Sequence, residues 1–245
     1  MKLLLDAGNS RIKWQLRDRA DIVCSGVDVA ETAGLFREMD DRLWTQVDFV
    51  AICTVRSESA REALVRAIKL HTQVPVRFFW TEPRFGDLVC AYENPSAMGA
   101  DRWHAMVAAW EVFKGACVVI DAGSAITVDW IDASGRHEGG YILPGKNLML
   151  DALSQKTARV LFQREQTLAS VSPGQTTGEC VLHGVNWLLR ALAIELGRKT
   201  TVPVMVTGGD GPYIKKALSE SADPALPVRL SPDLVLDGLA QVANC

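Results

Sequence analysis

The alternation of apolar and polar residues begins twice, once at the start of the chain and again near its middle. A run at 2–5 that ends in three leucines is followed by alternating residues at 12–16 and by a third, mostly apolar segment at 22–27. A short apolar run is typical of a buried strand, and strict alternation is typical of a half-buried one. The same succession returns over 117–143. Each half of the chain is therefore predicted to open with a three-stranded meander.

Helices and strands alternate after each meander. The periodicity predicts helices near 31–44, at 57–71, from 96 to about 113, over 181–196 and over 233–243, and strands at 47–55, 76–80 and 202–206. Ser59 begins the spacing of a capping box, Ser96 is a candidate N-cap, and Gly197 is a candidate helix end. This order of elements is that of α/β layers. We predict two α/β domains, residues 1–115 and 116–245, which pack closely around a cleft.

Each meander contains an Asp-Ala-Gly turn after its first strand. Glycine at a tight turn lets another group approach the backbone closely. Asn9 and Ser10 follow the first turn and Ser124 the second, and such residues offer donors to phosphate oxygens. Asp6 and Asp121 are hard ligands for a cation that accompanies phosphate. A single Asp-x-Gly is common hairpin chemistry, but its duplication within the same flanking strands favours a phosphate site.

Three further stretches carry candidate chemistry. Asp101 and Arg102 lie near the start of a predicted helix, where an acid complements the helix dipole and an arginine can be a surface neighbour. The functional alternative makes Asp101 a general base and Arg102 a clamp for an anionic substrate. The glycine-rich stretches at 139–145 and 206–211 suggest close backbone approach, but neither is a P-loop. Lys13 is either a phosphate ligand or a solvated strand residue.

Charge, cysteine content and the first residues of the chain argue against a nucleic-acid-binding, secreted or membrane protein. The formal net charge is −3, with 26 basic and 29 acidic side chains and no basic run, which argues against a nucleic-acid surface. The six cysteines are scattered without a Cys-x-x-Cys pair, as in a reduced, cytoplasmic protein. The first apolar stretch contains only three leucines, too few for a signal peptide or a membrane span. No role is assigned to the four histidines.

Taken in order, these motifs resemble the type III pantothenate kinases, which belong to the actin-like superfamily. The first phosphate motif of that family is similar to residues 6–10 with Lys13, its G-x-D-R element to 99–102, and its second phosphate motif to 121–125 with Thr127 and Asp129. The stretches GGYILPG and TGGD also match. Ser10 and Ser124 stand where threonine is more usual, and Thr176 stands where asparagine is more usual.

The resemblance implies two ribonuclease-H-like (actin-like ATPase) domains with an interdomain nucleotide cleft. It also implies transfer of the γ-phosphoryl group of ATP to pantothenate, the first step of coenzyme A synthesis, with Asp101 as the general base. ATP binding is assigned to Asp6, Ala7, Gly8, Asn9, Ser10, Lys13 and Ser124. Pantothenate binding is assigned to Tyr92, Gly99, Ala100, Asp101, Arg102 and Thr177.

The resemblance extends to ions and assembly. Asp6 is expected to bind Mg²⁺ that is also bound to the ATP phosphates. Asp121 is expected to hold the monovalent cation, K⁺ or NH₄⁺, that the family requires. A homodimer is expected, without nucleic-acid or membrane partners. Two alternatives remain open at the level of sequence. One is an actin-like kinase that acts on a sugar or a small carboxylic acid, and the other is a non-catalytic accessory protein that regulates gene expression.

Overall fold

The computed structural model describes residues 1–30, 34–156, 170–221 and 223–243. The chain divides into two compact units. The first consists of Met1–Gly115, Ala133–His137 and Asp233–Cys245, and the second of Ala116–Asp132 and Glu138–Pro232. Each unit is therefore made of more than one chain segment. The domains 1–115 and 116–245, and the cleft between them, stay predictions.

Two five-stranded sheets have the same strand order. The strands are β1 (Lys2–Ala7), β2 (Arg11–Asp18), β3 (Asp21–Val29), β4 (Phe49–Thr54), β5 (Val76–Phe78), β6 (Arg84–Phe85), β7 (Leu88–Val89), β8 (Cys117–Ala122), β9 (Ala125–Ile131), β10 (His137–Pro144), β11 (Val204–Thr207) and β12 (Val228–Leu230). The first sheet has the order β3-β2-β1-β4-β5 and the second the order β10-β9-β8-β11-β12, while β6 and β7 form a separate ribbon. The predicted duplication is confirmed.

The pairing directions are also shared by the two sheets. β1 pairs antiparallel with β2 and parallel with β4. In the same way β8 pairs antiparallel with β9 and parallel with β11. Each sheet is therefore mixed, and its first strand in sequence has a neighbour on both edges.

The described residues contain seven α-helices. They are α1 (Asp41–Trp44), α2 (Glu58–Lys69), α3 (Ala100–Phe113), α4 (Lys146–Lys156), α5 (Thr177–Lys199), α6 (Gly211–Ser219) and α7 (Leu234–Val242). The sequence predicted α2, α3, α5 and α7, but it did not single out α4 or α6.

The helix predicted near 31–44 is wrong for most of its described length. Only α1 is helical there, and residues 31–33 lie outside the described part of the chain. Gly34 and Phe36 have φ angles of 90° and 63°. These angles belong to the left-handed region, which an α-helix does not visit. In the described residues of this segment before α1, the apolar side chains are buried, but the backbone that carries them forms a turn and not a helix.

Three predicted helix ends also need correction. The cap of α2 is Ser57, whose hydroxyl accepts from the Ala60 N–H at 3.4 Å, and not a box that begins at Ser59. α3 begins after Gly99, because Ser96 lies in a 3₁₀ turn, Pro95–Ala97. Gly197 is inside α5, which continues to Lys199. At both helix starts, two residues within one turn suit the role of N-cap, and local sequence does not choose between them.

α3 and α7 pack closely in the first unit. All residues of α3 from Arg102 to Trp110 are buried. A Cβ built on Gly238 of α7 would overlap the backbone carbonyl of His104. Glycine is therefore required at 238, because only a residue without a side chain permits this approach between the two backbones. The preceding residue of α7, Asp237, accepts a 2.7 Å hydrogen bond from Arg17 of β2.

α5 contributes buried side chains to the core of the second unit. By length and composition it could cross a membrane, with a mean hydropathy of 1.2 over its most apolar window. Its side chains Leu182, Val185 and Leu189 are buried in one cluster with Val118 and Ile120 of β8. This is the packing of a core helix in a soluble protein.

His104 makes the stability of the first unit depend on pH. Its side chain is fully buried, and this burial lowers its pKa to about 4, from an ordinary value of about 6.5. The unfolded chain therefore binds a proton below about pH 6.5 that the folded chain does not bind until about pH 4. As the pH falls through this window, the contribution of His104 lowers the free energy of unfolding.

We expect His104→Leu to remove this contribution. Between pH 7 and pH 4 the variant should lose about 3 kcal/mol less free energy of unfolding than the wild type. Urea titrations at several pH values measure the difference. Between pH 7.5 and 9 the two proteins should change in parallel, and an identical slope at acid pH would contradict the prediction.

Candidate functional site

The first Asp-Ala-Gly turn places an acid and a base side by side. In the pairing of β1 with β2, Asp6 is directly opposite Lys13. Both are half-buried, whereas Asn9 and Ser10 in the turn itself are exposed. Opposite residues of neighbouring strands present their side chains on the same face of a sheet. The turn therefore combines exposed polar groups with a carboxylate and an ammonium group, which is suitable for an anion and its cation.

Asp101, at the start of α3, lies close to Cys53, the strand neighbour of Asp6. Asp6 is paired with Cys53, its neighbour on the parallel strand β4. The pKa of the Cys53 thiol is raised well above its ordinary value, because the thiol is buried and because the nearby carboxylates of Asp6 and Asp101 both disfavour the thiolate. Cys53 thus lies under the influence of both carboxylates. No sequence motif includes Cys53, since only strand pairing brings β4 beside β1.

The start of α3 holds the Asp101 carboxylate in place. Its Oδ1 accepts a 2.7 Å hydrogen bond from the backbone N–H of Arg102. A Cβ built on Gly99 would come within 2.7 Å of the same oxygen, too close for a real side chain. Glycine at the N-cap therefore leaves room for the carboxylate, which is a local reason for the Gly-x-Asp spacing.

Arg102 is a buried residue, so its interpretation as a surface neighbour is wrong. Its side chain donates from Nη1 to the Tyr92 hydroxyl at 3.0 Å and lies 5.9 Å from the centre of that ring. Tyr92 is also stacked on His137, with ring centres 6.4 Å apart, and His137 Nδ1 accepts from the Ala91 N–H at 3.4 Å. Two predicted pantothenate ligands thus belong to one cluster. His137, to which the sequence assigned no role, supports the tyrosine.

The second Asp-Ala-Gly turn lies at the same place in its sheet as the first but has different neighbours. Asp121 is opposite Thr127 on β9 and beside Thr207 on β11. Thr127 therefore occupies the cross-strand place that Lys13 occupies next to Asp6. The Gly123 N–H donates to the Ala125 carbonyl at 3.0 Å and closes the turn, in which Ser124 is exposed.

Both glycine-rich stretches lie against this second turn. The Gly145 N–H donates to the Ser124 carbonyl at 3.1 Å, and a Cβ at 145 would overlap that carbonyl. Gly208 has a φ of 88°, and a Cβ there would overlap the Ala122 carbonyl and come within 2.5 Å of Asp121 Oδ1. Each stretch alone was weak evidence from sequence. Their common position explains why both need glycine.

Thr177 is the first residue of α5 and is exposed. Thr176 precedes it as the N-cap, with its Oγ1 accepting from the Glu179 N–H at 3.2 Å while the Glu179 carboxylate accepts from the Thr176 N–H. Threonine and asparagine both serve as N-caps, so the departure from asparagine at 176 preserves the helix start. Thr177 belongs to the second unit, whereas Tyr92 and Arg102 belong to the first, and its place in the same pocket stays a prediction.

The carboxylates suit a cation that arrives with a phosphate. Within the described residues, no group of three or more His, Cys, Asp or Glu side chains forms a metal site by itself. Mg²⁺ in nucleotide sites commonly keeps several waters and uses one or two carboxylates together with substrate phosphates. Asp6 beside the first turn fits that donor set.

Comparison with known proteins identifies the family. A family model described as type III pantothenate kinase matches residues 2–198. A type III pantothenate kinase of Marinobacter nauticus is 38% identical over 253 residues, with 100% of this chain and 98% of the relative covered. Among solved structures, a conserved putative Baf family transcriptional activator from Campylobacter jejuni has a TM-score of 0.59 at 23% identity, covering 99% of this chain and 97% of its own.

More distant structures share the fold. A putative 2-dehydro-3-deoxygalactonokinase from Sinorhizobium meliloti has a TM-score of 0.55 at 13% identity, covering 99% of this chain and 98% of its own. The two sheets and these neighbours establish the α/β fold with two ribonuclease-H-like, actin-like domains. Because the family model and a full-length relative agree, the chain belongs to the type III pantothenate kinase family.

Proposed function

We propose how the residues of this chain divide the work of the type III pantothenate kinase reaction, the ATP-dependent phosphorylation of pantothenate in coenzyme A biosynthesis. The observation that carries the proposal is that Cys53, the strand neighbour of Asp6, has its pKa raised by burial and by the carboxylates of both Asp6 and Asp101. Phosphoryl transfer requires alignment of the two substrates and neutralisation of phosphate charge. Both carboxylates belong to the first unit. The one at the first turn would serve ATP, and the one on α3 would serve pantothenate.

Asp101 is proposed to accept the proton of the pantothenate hydroxyl. A general base must be held within hydrogen-bonding distance of that proton, and the hydrogen bond from the Arg102 N–H restricts the carboxylate. Arg102 and Tyr92 are proposed to bind pantothenate. The guanidinium of Arg102 would bind the carboxylate group of the pantothenate. A guanidinium already oriented by a tyrosine hydroxyl loses less freedom when it binds a carboxylate.

The first turn is proposed to bind the phosphates of ATP. Gly8, Asn9 and Ser10 provide the turn, and Lys13 provides a positive charge for the phosphates. Asp6 is proposed to hold Mg²⁺, which when bound neutralises phosphate charge. The direct pairing of Asp6 with Lys13 supports this division, because it keeps the ammonium beside the carboxylate.

The second turn is proposed to contact ATP through Ser124 and to hold K⁺ or NH₄⁺ through Asp121. Thr127 is opposite Asp121 in the strand pairing, so a hydroxyl-bearing side chain lies on the same face of the sheet as the carboxylate. A hard oxygen ligand in such a setting favours a cation.

We also propose a homodimer. The exposed side chains of Trp187 and Leu188, at 58% and 52%, leave apolar surface on α5, and apolar patches commonly mark contacts between proteins. Light scattering should give twice the chain mass of 26.7 kDa, and a monomeric mass at micromolar concentration would contradict the proposal.

A direct assay tests the function as a whole. Purified protein with MgATP should form phosphopantothenate when K⁺ or NH₄⁺ is present and should be nearly inactive when Na⁺ replaces them. A hexose and acetate serve as competing acceptors. Phosphorylation of either of these, and not of pantothenate, would contradict the proposed substrate. Absence of any turnover together with absence of pantothenate binding in calorimetry would favour a non-catalytic protein.

Asp101→Asn tests the general base. The amide cannot accept the hydroxyl proton, so we expect kcat to fall by about 10²-fold or more, while the dissociation constant for ATP changes little. Asp41→Asn is a matched control, since Asp41 is also an acid in the first turn of a helix, α1. The control should keep wild-type kcat. A rate near that of the wild type in Asp101→Asn would remove Asp101 from this role.

Asp121→Ala tests the monovalent-cation site. Loss of a charged ligand should raise the K⁺ concentration for half-maximal activity by about tenfold or more. Asp223→Ala removes an exposed acid from the same unit and is the control. Activity measured against K⁺ at constant ionic strength separates the two. An unchanged K⁺ dependence in Asp121→Ala would show that the cation binds elsewhere.

A further inference from the structure

Arg56 is a partly buried arginine that none of the sequence motifs includes. It follows β4 and precedes Ser57, the N-cap of α2. Its Nη2 donates to the carbonyl of Ala30 at 2.8 Å. Its Nη1 is buried and has no hydrogen-bond partner in the described part of the chain. The guanidinium thus has one donor group satisfied by backbone and another that is not.

Two chains of hydrogen bonds connect Arg56 to the first phosphate turn. Through its side chain it binds the Ala30 carbonyl, and the Ala30 N–H donates to the Ser10 carbonyl at 3.2 Å. Through its backbone N–H it donates to Thr54 Oγ1 at 3.1 Å, and that hydroxyl donates to the Ala7 carbonyl at 3.0 Å. Arg56 is therefore linked to the turn both where it begins and where it ends.

The cost of this arrangement indicates a functional role. A buried donor without a partner destabilises the folded chain, and more so when the group is charged. Uncompensated polar groups of this kind are infrequent in folded proteins and call for an explanation. A glutamine or methionine could fill the position without a buried positive charge. A positive charge close to the proposed phosphate-binding turn would attract the phosphate groups of ATP electrostatically.

We propose that Arg56 is a positioning residue for ATP. Its two hydrogen-bond chains hold residues 7–10 in the shape that receives the phosphates, and its charge raises the affinity of the turn for them. This inference rests on the proposed placement of ATP at the first turn. It assigns no contact between Arg56 and pantothenate, so the two substrates are expected to respond differently to its replacement.

Three variants test the inference. Arg56→Gln removes the charge and shortens the side chain. Arg56→Lys keeps the charge and a donor for the Ala30 carbonyl. Arg61→Gln is the matched control, because it removes another guanidinium from the same unit, one that lies 5.0 Å from the centre of the Trp80 ring. Calorimetry measures the binding of ATP with Mg²⁺ and K⁺ and, separately, the binding of pantothenate. Thermal unfolding without ligand reports stability.

We expect Arg56→Gln to weaken ATP binding by about tenfold, because the variant removes a positive charge close to the turn and weakens the bonds that hold residues 7–10 in shape. Pantothenate binding should stay within about twofold of the wild type. Arg56→Lys should recover most of the loss, and Arg61→Gln should bind ATP like the wild type. The lysine variant also keeps the test usable if the glutamine variant does not fold.

Two results would overturn the inference. One is an unchanged dissociation constant for ATP in Arg56→Gln, even when its unfolding midpoint is lower, because the residue would then have only a structural role. The other is an equal loss of ATP and pantothenate binding. Neither result depends on the identity of the acceptor, since ATP binding is measured without turnover. A failure of the proposed function would appear instead as an inactive wild-type protein.

Discussion

The rest of the structure depends on the hydrogen bonding of the first strand of each sheet along both of its edges. β1 lies between β2 and β4, and β8 lies between β9 and β11. A strand paired on both edges leaves no backbone group unsatisfied and can be buried on both faces, as Leu3, Leu4 and Leu5 are. Its last residues consequently stand beside the ends of two other strands. Asp6 and Asp121 occupy these positions, so the order of the strands determines what surrounds each carboxylate.

The two turns share this setting but differ in chemistry. Asp6 has a lysine across the antiparallel pair, and Asp121 has a threonine. The first hairpin encloses residues 8–11 between its last paired residues, and the second encloses 123–125. The second turn is shorter and is surrounded by backbone that only glycine permits, at Gly145 and Gly208. Duplication thus preserved the fold, while a few side chains and one residue of turn length made the two ends different.

Much of the fold could be predicted because its signals are local. The short apolar runs, the alternating strands and the long amphipathic helices are visible within windows of a few residues. Errors occurred where two residues within one helical turn of each other suit the same role, as with Ser57 and Ser59 or with Ser96 and Gly99. The segment near 31–44 has helical spacing of its apolar residues, but the positive φ angles of Gly34 and Phe36 give it the form of a turn. Tertiary packing of Phe36 between Trp14 and Trp44 prevails over that local periodicity.

The sequence by itself determined the duplicated meander, the two aspartates at its turns and the pairing of an acid with an arginine at the start of α3. These features are contained in short stretches whose local chemistry is readable. Only the tertiary structure decided which residues stand together: Cys53 beside Asp6, His137 against Tyr92, both glycine-rich stretches at Asp121, and Arg56 at the ends of the first turn. The physical reason is that these contacts arise from strand pairing and packing between segments far apart in the chain, which no local pattern of residues specifies.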